Sequence, residues 1–385
     1  MKNKIKRLFA VGLITYILIE IICFIFIKTG YISANLPHFF TDARDTMVFP
    51  YTFADINKDW GVWHYNYPVK APYGCLTIAC SPNSVGARDI ERKRPGADSN
   101  RCIVLGDSFM EGFGIPDKDR VSNLLETSTG HEFLNFACSD MGSTQEYLVY
   151  KHLASLYDHN AILWGILPLN DLLNDNVEFD SSQSPLRYKP YWKGNYPNME
   201  LFYYTDSVQH SRFSYEAFKP YQSSLKYRVR HVLENTTCWF NILYFLVKKK
   251  GAADVITRAT KSNMPYSGYY DFSERDVARL KQSLLAVRRE APGKKMIVFT
   301  IPVASDYQRY QKKPETPLLV QQLQSFCDSN KITFTDLLTT ATPTDLQQNN
   351  KQFFDCDLHW NEFGNRWAMK KLLPYFTAQH ETTTH

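Results

Sequence analysis

The sequence predicts a layered α/β fold built on a parallel sheet, and three observations carry that prediction. Four apolar runs of strand length, Cys102–Leu105, Phe133–Ala137, Ala161–Leu167 and Met296–Ile301, are almost uninterrupted, as in strands covered on both faces. Helical patterns alternate with them, which implies parallel pairing through right-handed crossovers. Each run then gives way to a glycine, a proline or a loop rich in polar residues, where ligands bind in open α/β sheets.

Along the chain, Ser143 with Glu146 reads as a capping box opening a helix that runs to Tyr157. Ser273 with Asp276 reads as a second box, before the amphipathic stretch Val277–Arg289, which stops near Pro292 and Gly293. A further strand is expected at Ile332–Thr335, and a helix over 361–373. Residues 28–100 lack periodicity and read as an irregular approach segment, within which Glu91-Arg92-Lys93-Arg94 reads as a solvated loop. Residues 181–270 interrupt the rhythm and are denser in Phe, Trp and Tyr than the rest. They read as an insertion between the two parts of the α/β domain, 101–180 and 271–378, with 379–385 as a tail. The insertion's aromatics serve either as its own core or as a sugar-stacking surface.

Composition narrows the class. In a chain of 385 residues, 44% hydrophobic and 22% charged residues exclude a disordered, collagen-like or multi-pass membrane protein. The net charge of +5 is concentrated at Lys2, Lys4, Lys6 and Arg7, leaving a near-neutral remainder without the basic face that nucleic-acid binding needs. Behind that basic arm, Leu8–Ile27 is apolar on every side except for Glu20. As a helix it spans about 30 Å, the thickness of a bilayer's hydrocarbon core. A cleaved signal has an apolar region of ~7–15 residues ending in small side chains, whereas this run closes on Phe24, Ile25, Phe26 and Ile27. Residues 1–27 are therefore expected to form a cytoplasmic basic arm and a single membrane-spanning helix, with the remainder outside, in a periplasm or its equivalent. In such an oxidising compartment Cys75 and Cys80 are the expected disulfide among eight cysteines. No spacing suggests a metal site.

The chemistry lies in the loops after the strands. The first strand leads into Gly106-Asp107-Ser108-Phe109, the second into Asp140-Met141-Gly142, the third into Asn170-Asp171. Near the C-terminus stands Asp355-Cys356-Asp357-Leu358-His359-Trp360. A serine hydroxyl needs an adjacent base, and neutral imidazole suits that role near neutral pH. The imidazole needs a carboxylate to fix its tautomer, and the developing oxyanion needs preorganised donors. These requirements assign Ser108 as nucleophile, His359 as base, Asp357 or Asp355 as orienting acid, and the Ser108 and Gly142 amides with the Asn170 side chain as oxyanion hole. A cysteine nucleophile at Cys138 or Cys356 is the weaker rival, and Asp357 as a mere helix cap the bland one.

Together, Leu105-Gly106-Asp107-Ser108-Phe109, Gly142, Asn170 and His359 resemble the successive sequence blocks of the SGNH (GDSL) hydrolase superfamily. The resemblance spans roughly residues 83–376, with a lead-in at Asn83–Asp89. It implies a flavodoxin-like, three-layer α/β/α SGNH fold and a serine esterase or acyltransferase with neither metal nor organic cofactor. Two departures stand out. Pro168 takes the usual glycine position of the third block, and Cys356 sits where the last block usually has its acid. The run Asp357-Leu358-His359-Trp360 is instead similar to the Asp-x-His-Trp pattern of membrane-associated alginate-acetylation enzymes in the same superfamily, which favours Asp357 over Asp355. The expected function is an anchored extracytoplasmic enzyme acting on small O-acyl groups, chiefly acetyl, of a glycan. Transfer is preferred slightly over hydrolysis, and a multi-pass acyl-transporting protein is the partner that transfer would imply. A non-catalytic glycan-binding or assembly protein and a lipase-like esterase are the alternatives.

Overall fold

The computed structural model describes residues 2–29, 31–32, 34, 37, 69–73, 76–95, 100–139, 141–179, 189–204, 224–247, 266–354 and 357–377. Nine strands are described: β1 Val69–Tyr73, β2 Leu76–Cys80, β3 Arg101–Leu105, β4 Glu132–Asn135, β5 Ala161–Ile166, β6 Lys189–Lys193, β7 Glu200–Tyr204, β8 Lys295–Thr300 and β9 Thr333–Asp336. Five of them form one sheet in the order β4-β3-β5-β8-β9, every neighbouring pair parallel. Renumbered within the sheet this is 2-1-3-4-5, the flavodoxin-like order. The four apolar runs mark β3, β4, β5 and β8 to within two residues, because a strand sandwiched between two layers has little polar face to break the run, and the strand expected at Ile332–Thr335 is β9. Ile103, Val104, Ile162, Leu163, Trp164, Ile297, Val298 and Phe299 are fully buried along the three central strands.

Helices Val121–Thr129 and Glu362–Leu372 pack together on one face, and helices Ser143–His152, Glu274–Glu290 and Leu318–Ser329 cover the other. The arrangement is three-layered, α/β/α. The Ser273–Asp276 capping box is present, with Asp276 N–H donating to Ser273 Oγ at 3.2 Å and Ser273 N–H donating to Asp276 Oδ2 at 3.0 Å. The box expected at Ser143 and Glu146 is not. Gly142 is the N-cap, its N–H donates to Gln145 Oε1 at 3.2 Å, and Ser143 Oγ donates to Asp175. Glu146 is drawn into the core by the indole of Trp164, a tertiary partner that local spacing cannot reveal. The helix ends at His152, and a single 3-10 turn, Ala154–Leu156, finishes the segment.

Two readings of residues 28–100 are corrected. The segment carries an antiparallel hairpin, β1 with β2, rather than only irregular chain. Arg92 is not solvated. Its side chain is 5% exposed and clamps Asp89 (3.0 Å) and Glu126 (2.8 Å), so what looked like a charged loop is stapled to the helix before β4. In the aromatic-rich region, β6 and β7 form a second hairpin laid against helix Ser143–His152. Trp192 is buried there, stacked on Tyr147 at 5.6 Å, and its Nε1 donates to Ser283 Oγ at 2.8 Å. Tyr191, Trp192 and Tyr269 are interior residues, in line with the core reading of those aromatics.

The N-terminal helix, Lys2–Lys28, holds the one stretch among the described residues long and apolar enough to cross a membrane, and only 6% of it is buried by protein. Cys75 and the Cys80 side chain lie outside the described residues, as do Asp140, Asp355 and Cys356.

Candidate active site

The sheet order reverses between β3 and β5, where crossovers leave in opposite directions and open a crevice at the carboxyl ends of the strands. Ser108 comes just after β3 and Asn170 just after β5, so both stand at this switch point.

The turn that carries Ser108 is tightly specified. Gly106 has φ +146, and a Cβ there would lie 2.6 Å from Met110 Cγ, so only glycine lets β3 bend straight into the next turn. Asp107 caps the short helix Ser108–Glu111 by accepting from Phe109 N–H at 3.0 Å. Arg88, from the lead-in, holds the far end of that helix, donating to Gly112 O at 2.6 Å and Ile115 O at 2.7 Å while pairing with Asp117 at 2.8 Å. Glu111 Oε2 accepts from Ser139 N–H (2.5 Å) and Ser139 Oγ (2.6 Å), which ties the turn to the loop after β4. Ser108 is thereby fixed with 7% of its surface exposed.

His359 comes from the other end of the chain. Phe353 and Trp360 form an isolated antiparallel bridge, and Phe354 N–H donates to His359 O at 3.1 Å, which fixes the backbone that carries His359. Trp360 is 1% exposed and packs edge-on against Phe109 (5.1 Å) and Trp367 (6.2 Å). The imidazole is wedged beside Phe109 (5.1 Å) and Phe113 (4.5 Å). Its Nε2 lies 2.7 Å from Ser108 Oγ, and its Nδ1 meets Asp357 Oδ1. An ionised carboxylate can only accept, so the proton sits on Nδ1 and Nε2 is left to accept from the serine hydroxyl. Burial works to raise the Asp357 carboxyl, but the hydrogen bond and charge of His359, with the amides of His359 and Leu358, hold it below its usual value. Asp357 is not a helix cap: Asn361 fills that role for Glu362–Leu372, accepting from Phe363 N–H (2.9 Å) and Gly364 N–H (3.1 Å).

The expected oxyanion donors are nearby but engaged. Asn170 Nδ2 donates to Asp107 Oδ2 at 3.1 Å, which orients the amide and leaves it a second N–H. Gly142 N–H is taken by Gln145 Oε1. A Cβ at Gly142 would lie 2.8 Å from Asp175 Oδ1, a close approach that accounts for the glycine. Pro168, at the position where the related pattern has glycine, is the first residue of helix Pro168–Asn174. That position lacks an intrahelical N–H partner in any case, so proline fits, and Asp171 Oδ2 accepts from Leu167 N–H at 2.8 Å just ahead of it.

Asp107, Glu146 and Asp171 are buried acids with no charge-related role legible in the sequence. Burial pushes the Asp107 carboxyl up to about 6 against the stabilising bonds from Phe109 N–H and Asn170. Burial also raises Glu146 and Asp171 well above their usual range, with the charge of Asp107 raising both and that of Glu146 raising Asp171. Asp107 and Asp171 stand in the strand-end motifs and Glu146 in the expected capping box, but spacing along the chain carries no sign that the three are buried. Cys138 is buried in the core cluster. Among the described residues, no group of three or more His, Cys, Asp or Glu is arranged to hold a metal ion.

No family model matches the chain, and no curated protein matches it by sequence. Among solved structures it is similar to a lipase/acylhydrolase from Enterococcus faecalis, at 11% identity and TM-score 0.37, over 72% of this chain and 96% of that one. A carbohydrate esterase family 2 enzyme with a carbohydrate-binding domain from Corynascus thermopiles (Myceliophthora fergusii) matches at 10% identity and TM-score 0.38, over 74% of this chain and 67% of the other. An acetyl xylan esterase, AlAXEase, matches at 10% identity and TM-score 0.34, over 71% and 98%. At such distances function is argued from this chain's own residues. Fold and site define a doubly wound α/β protein with a serine–histidine–aspartate hydrogen-bonded chain at its switch point.

Proposed function

We propose that the chain is an SGNH-type serine acyl-transfer enzyme, with Ser108 as nucleophile, His359 as general base and acid, and Asp357 as the residue orienting the imidazole. The observation that carries this is the continuous contact from Ser108 Oγ through His359 to Asp357. In the first step His359 Nε2 takes the hydroxyl proton as Ser108 Oγ attacks the acyl carbon. The C–O bond to the leaving alcohol then breaks, His359 returns the proton to that oxygen, and the acyl group stays on Ser108. Water or a sugar hydroxyl, deprotonated by the same imidazole, resolves the acyl-enzyme. Ser108 N–H, the free N–H of Asn170 and the Gly142 amide, once released by Gln145, are the donors for the oxyanion.

The finer reading is an enzyme anchored by its N-terminal helix, extracytoplasmic, acting on small O-acyl groups of a glycan. The length and apolarity of residues 8–27 support the anchor. The Asp357-Leu358-His359-Trp360 run supports transfer over hydrolysis.

The test is covalent labelling by a serine-directed phosphonate, with mass analysis of the modified residue, alongside turnover of an aryl acetate. Label on Ser108, and loss of both label and turnover in Ser108→Ala, are expected. Because such residues act as a unit, His359→Ala should lose as much, on the order of 10⁴–10⁶ in kcat. Undiminished turnover by Ser108→Ala would remove the proposal. Saccharide binding without any labelling would favour a non-catalytic glycan-binding protein, and preference for long-chain esters a lipase-like one.

A further inference from the structure

Glu20 is the one charge in the apolar stretch of the N-terminal helix, and it is not left to lipid. Its Oε2 accepts from the backbone N–H of Cys238 at 2.7 Å. Cys238 opens the apolar helix Cys238–Val247, whose free first-turn N–H groups and positive dipole end suit a carboxylate. Cys238 and Ile242 form a small core with Ile27, flanked by Cys23, Phe24 and Ile32. Glu20 lies seven residues before Ile27, about 10 Å along the helix axis. Whatever medium surrounds the N-terminal helix at that depth also surrounds the start of helix Cys238–Val247.

The rest of this element presents exposed apolar side chains. On Cys238–Val247, Leu243, Leu246 and Val247 are 51%, 50% and 63% exposed. The preceding helix, Leu225–Thr236, exposes Leu225, Val229 and Val232, spaced so that they share one face, with Lys226 and Arg228 exposed on either side of it. The two helices are tied together: Arg230 stacks on Tyr244 at 4.4 Å, and Asn241 Nδ2 donates to Glu234 O at 2.9 Å. An apolar strip bordered by basic residues is the pattern of a helix lying at a membrane surface.

We infer that residues 225–247 form a second membrane element, with Cys238–Val247 seated among lipid acyl chains beside the N-terminal helix and Leu225–Thr236 leading from that depth toward the headgroups, where Lys226 and Arg228 lie. The occupant of the exposed apolar face is the bilayer leaflet in which the C-terminal half of the N-terminal helix ends. The argument for lipid is depth: the Glu20 contact sets the start of Cys238–Val247 beside the apolar stretch of the N-terminal helix, and Leu243 and Leu246 are exposed there as Ile21 and Ile25 are. The element rests on the anchor reading above, but not on the catalytic one.

The experiment uses the full chain in vesicles of phosphatidylethanolamine and phosphatidylglycerol carrying a phospholipid with a photoactivatable diazirine near the end of its acyl chain. Mass mapping should find lipid adducts on 238–247 at a level comparable with 19–26 of the N-terminal helix, and Leu243→Glu with Leu246→Glu should abolish the former alone. Adducts on the N-terminal helix with none on 238–247 would overturn this inference and leave the anchor intact. Loss of the N-terminal peptide during export, with the chain free of the membrane, would overturn both.

Discussion

Asn170 donates from Nδ2 to Asp107 Oδ2 at 3.1 Å, joining the residue just before the serine to the residue expected to hold the oxyanion. Asp107 cannot turn away, because its other oxygen caps the serine helix through Phe109 N–H. Replacing Asp107 with Asn would keep a cap acceptor but set two amide groups facing each other. Asp107→Asn should therefore lower kcat for an aryl acetate while leaving KM within about twofold, the pattern of a transition-state loss. Asn170→Ala should cost ~3–4 kcal/mol in the barrier. If both variants changed KM alone, Asn170 would be a substrate-binding residue and not an oxyanion donor.

The acid partner can be tested by comparing two carboxylates. Asp357 meets His359 Nδ1 and also accepts from His359 N–H at 2.9 Å. Asp357→Asn offers an amide in place of the acceptor and favours the wrong tautomer, so kcat should fall on the order of 10⁴-fold. Asp355→Asn should keep most of the activity. The reverse ranking in steady-state rates would transfer the role to Asp355.

Stability should depend on pH through the buried acids. Burial pushes Asp306 up to about 7 and Asp107 up to about 6. Folded-state values raised above the unfolded ones give stability that is complete at low pH and lost as pH rises through the folded values. The thermal midpoint should fall from about pH 5 to about pH 8, and Asp306→Asn should flatten the fall. The lowered carboxyls of Asp357 and Asp345 act in the opposite sense, losing their contribution as pH drops through their folded values. A midpoint that climbs across the neutral interval would contradict this account.

Arg92 makes a prediction about the segment before the α/β domain. Its guanidinium is held between Asp89, itself 2% exposed, and Glu126, with the amide of Asn135 donating to Asp89 Oδ2 at 3.2 Å. Arg92→Ala would remove the closer of the two guanidinium partners of the buried Asp89 carboxylate, leaving Arg120 at 3.4 Å. Denaturant unfolding should show a loss of about 3 kcal/mol, the usual cost of removing one partner from a buried pair. A change within experimental error would mean that the lead-in is not part of the cooperative unit.

Much of the molecule was legible before any coordinates. The three central strands show in the sequence because their burial on both faces leaves almost no polar positions, and the edge strands β4 and β9 show as shorter runs with polar ends. The Ser273 cap shows because its partners lie three residues apart. What failed did so for one reason. Ser143, Glu146 and Arg92 were read by their neighbours along the chain, yet their partners are Asp175, Trp164 and Glu126. Likewise Pro168 departs from the related pattern in sequence but occupies a helix start where its missing N–H costs nothing.

By itself the order of residues determined the alternation of strands and helices and the apolar N-terminal helix, and it offered Ser108, Gly142, Asn170, His359 and either Asp355 or Asp357 as site candidates. Only the tertiary structure decided that His359 stands 2.7 Å from a serine 251 positions away, that Asp107 anchors Asn170, and that Cys238 answers Glu20. Those pairings depend on which loops the sheet order brings to one edge and which helices share a face, and hydrogen bonds across such distances leave no periodicity in the chain.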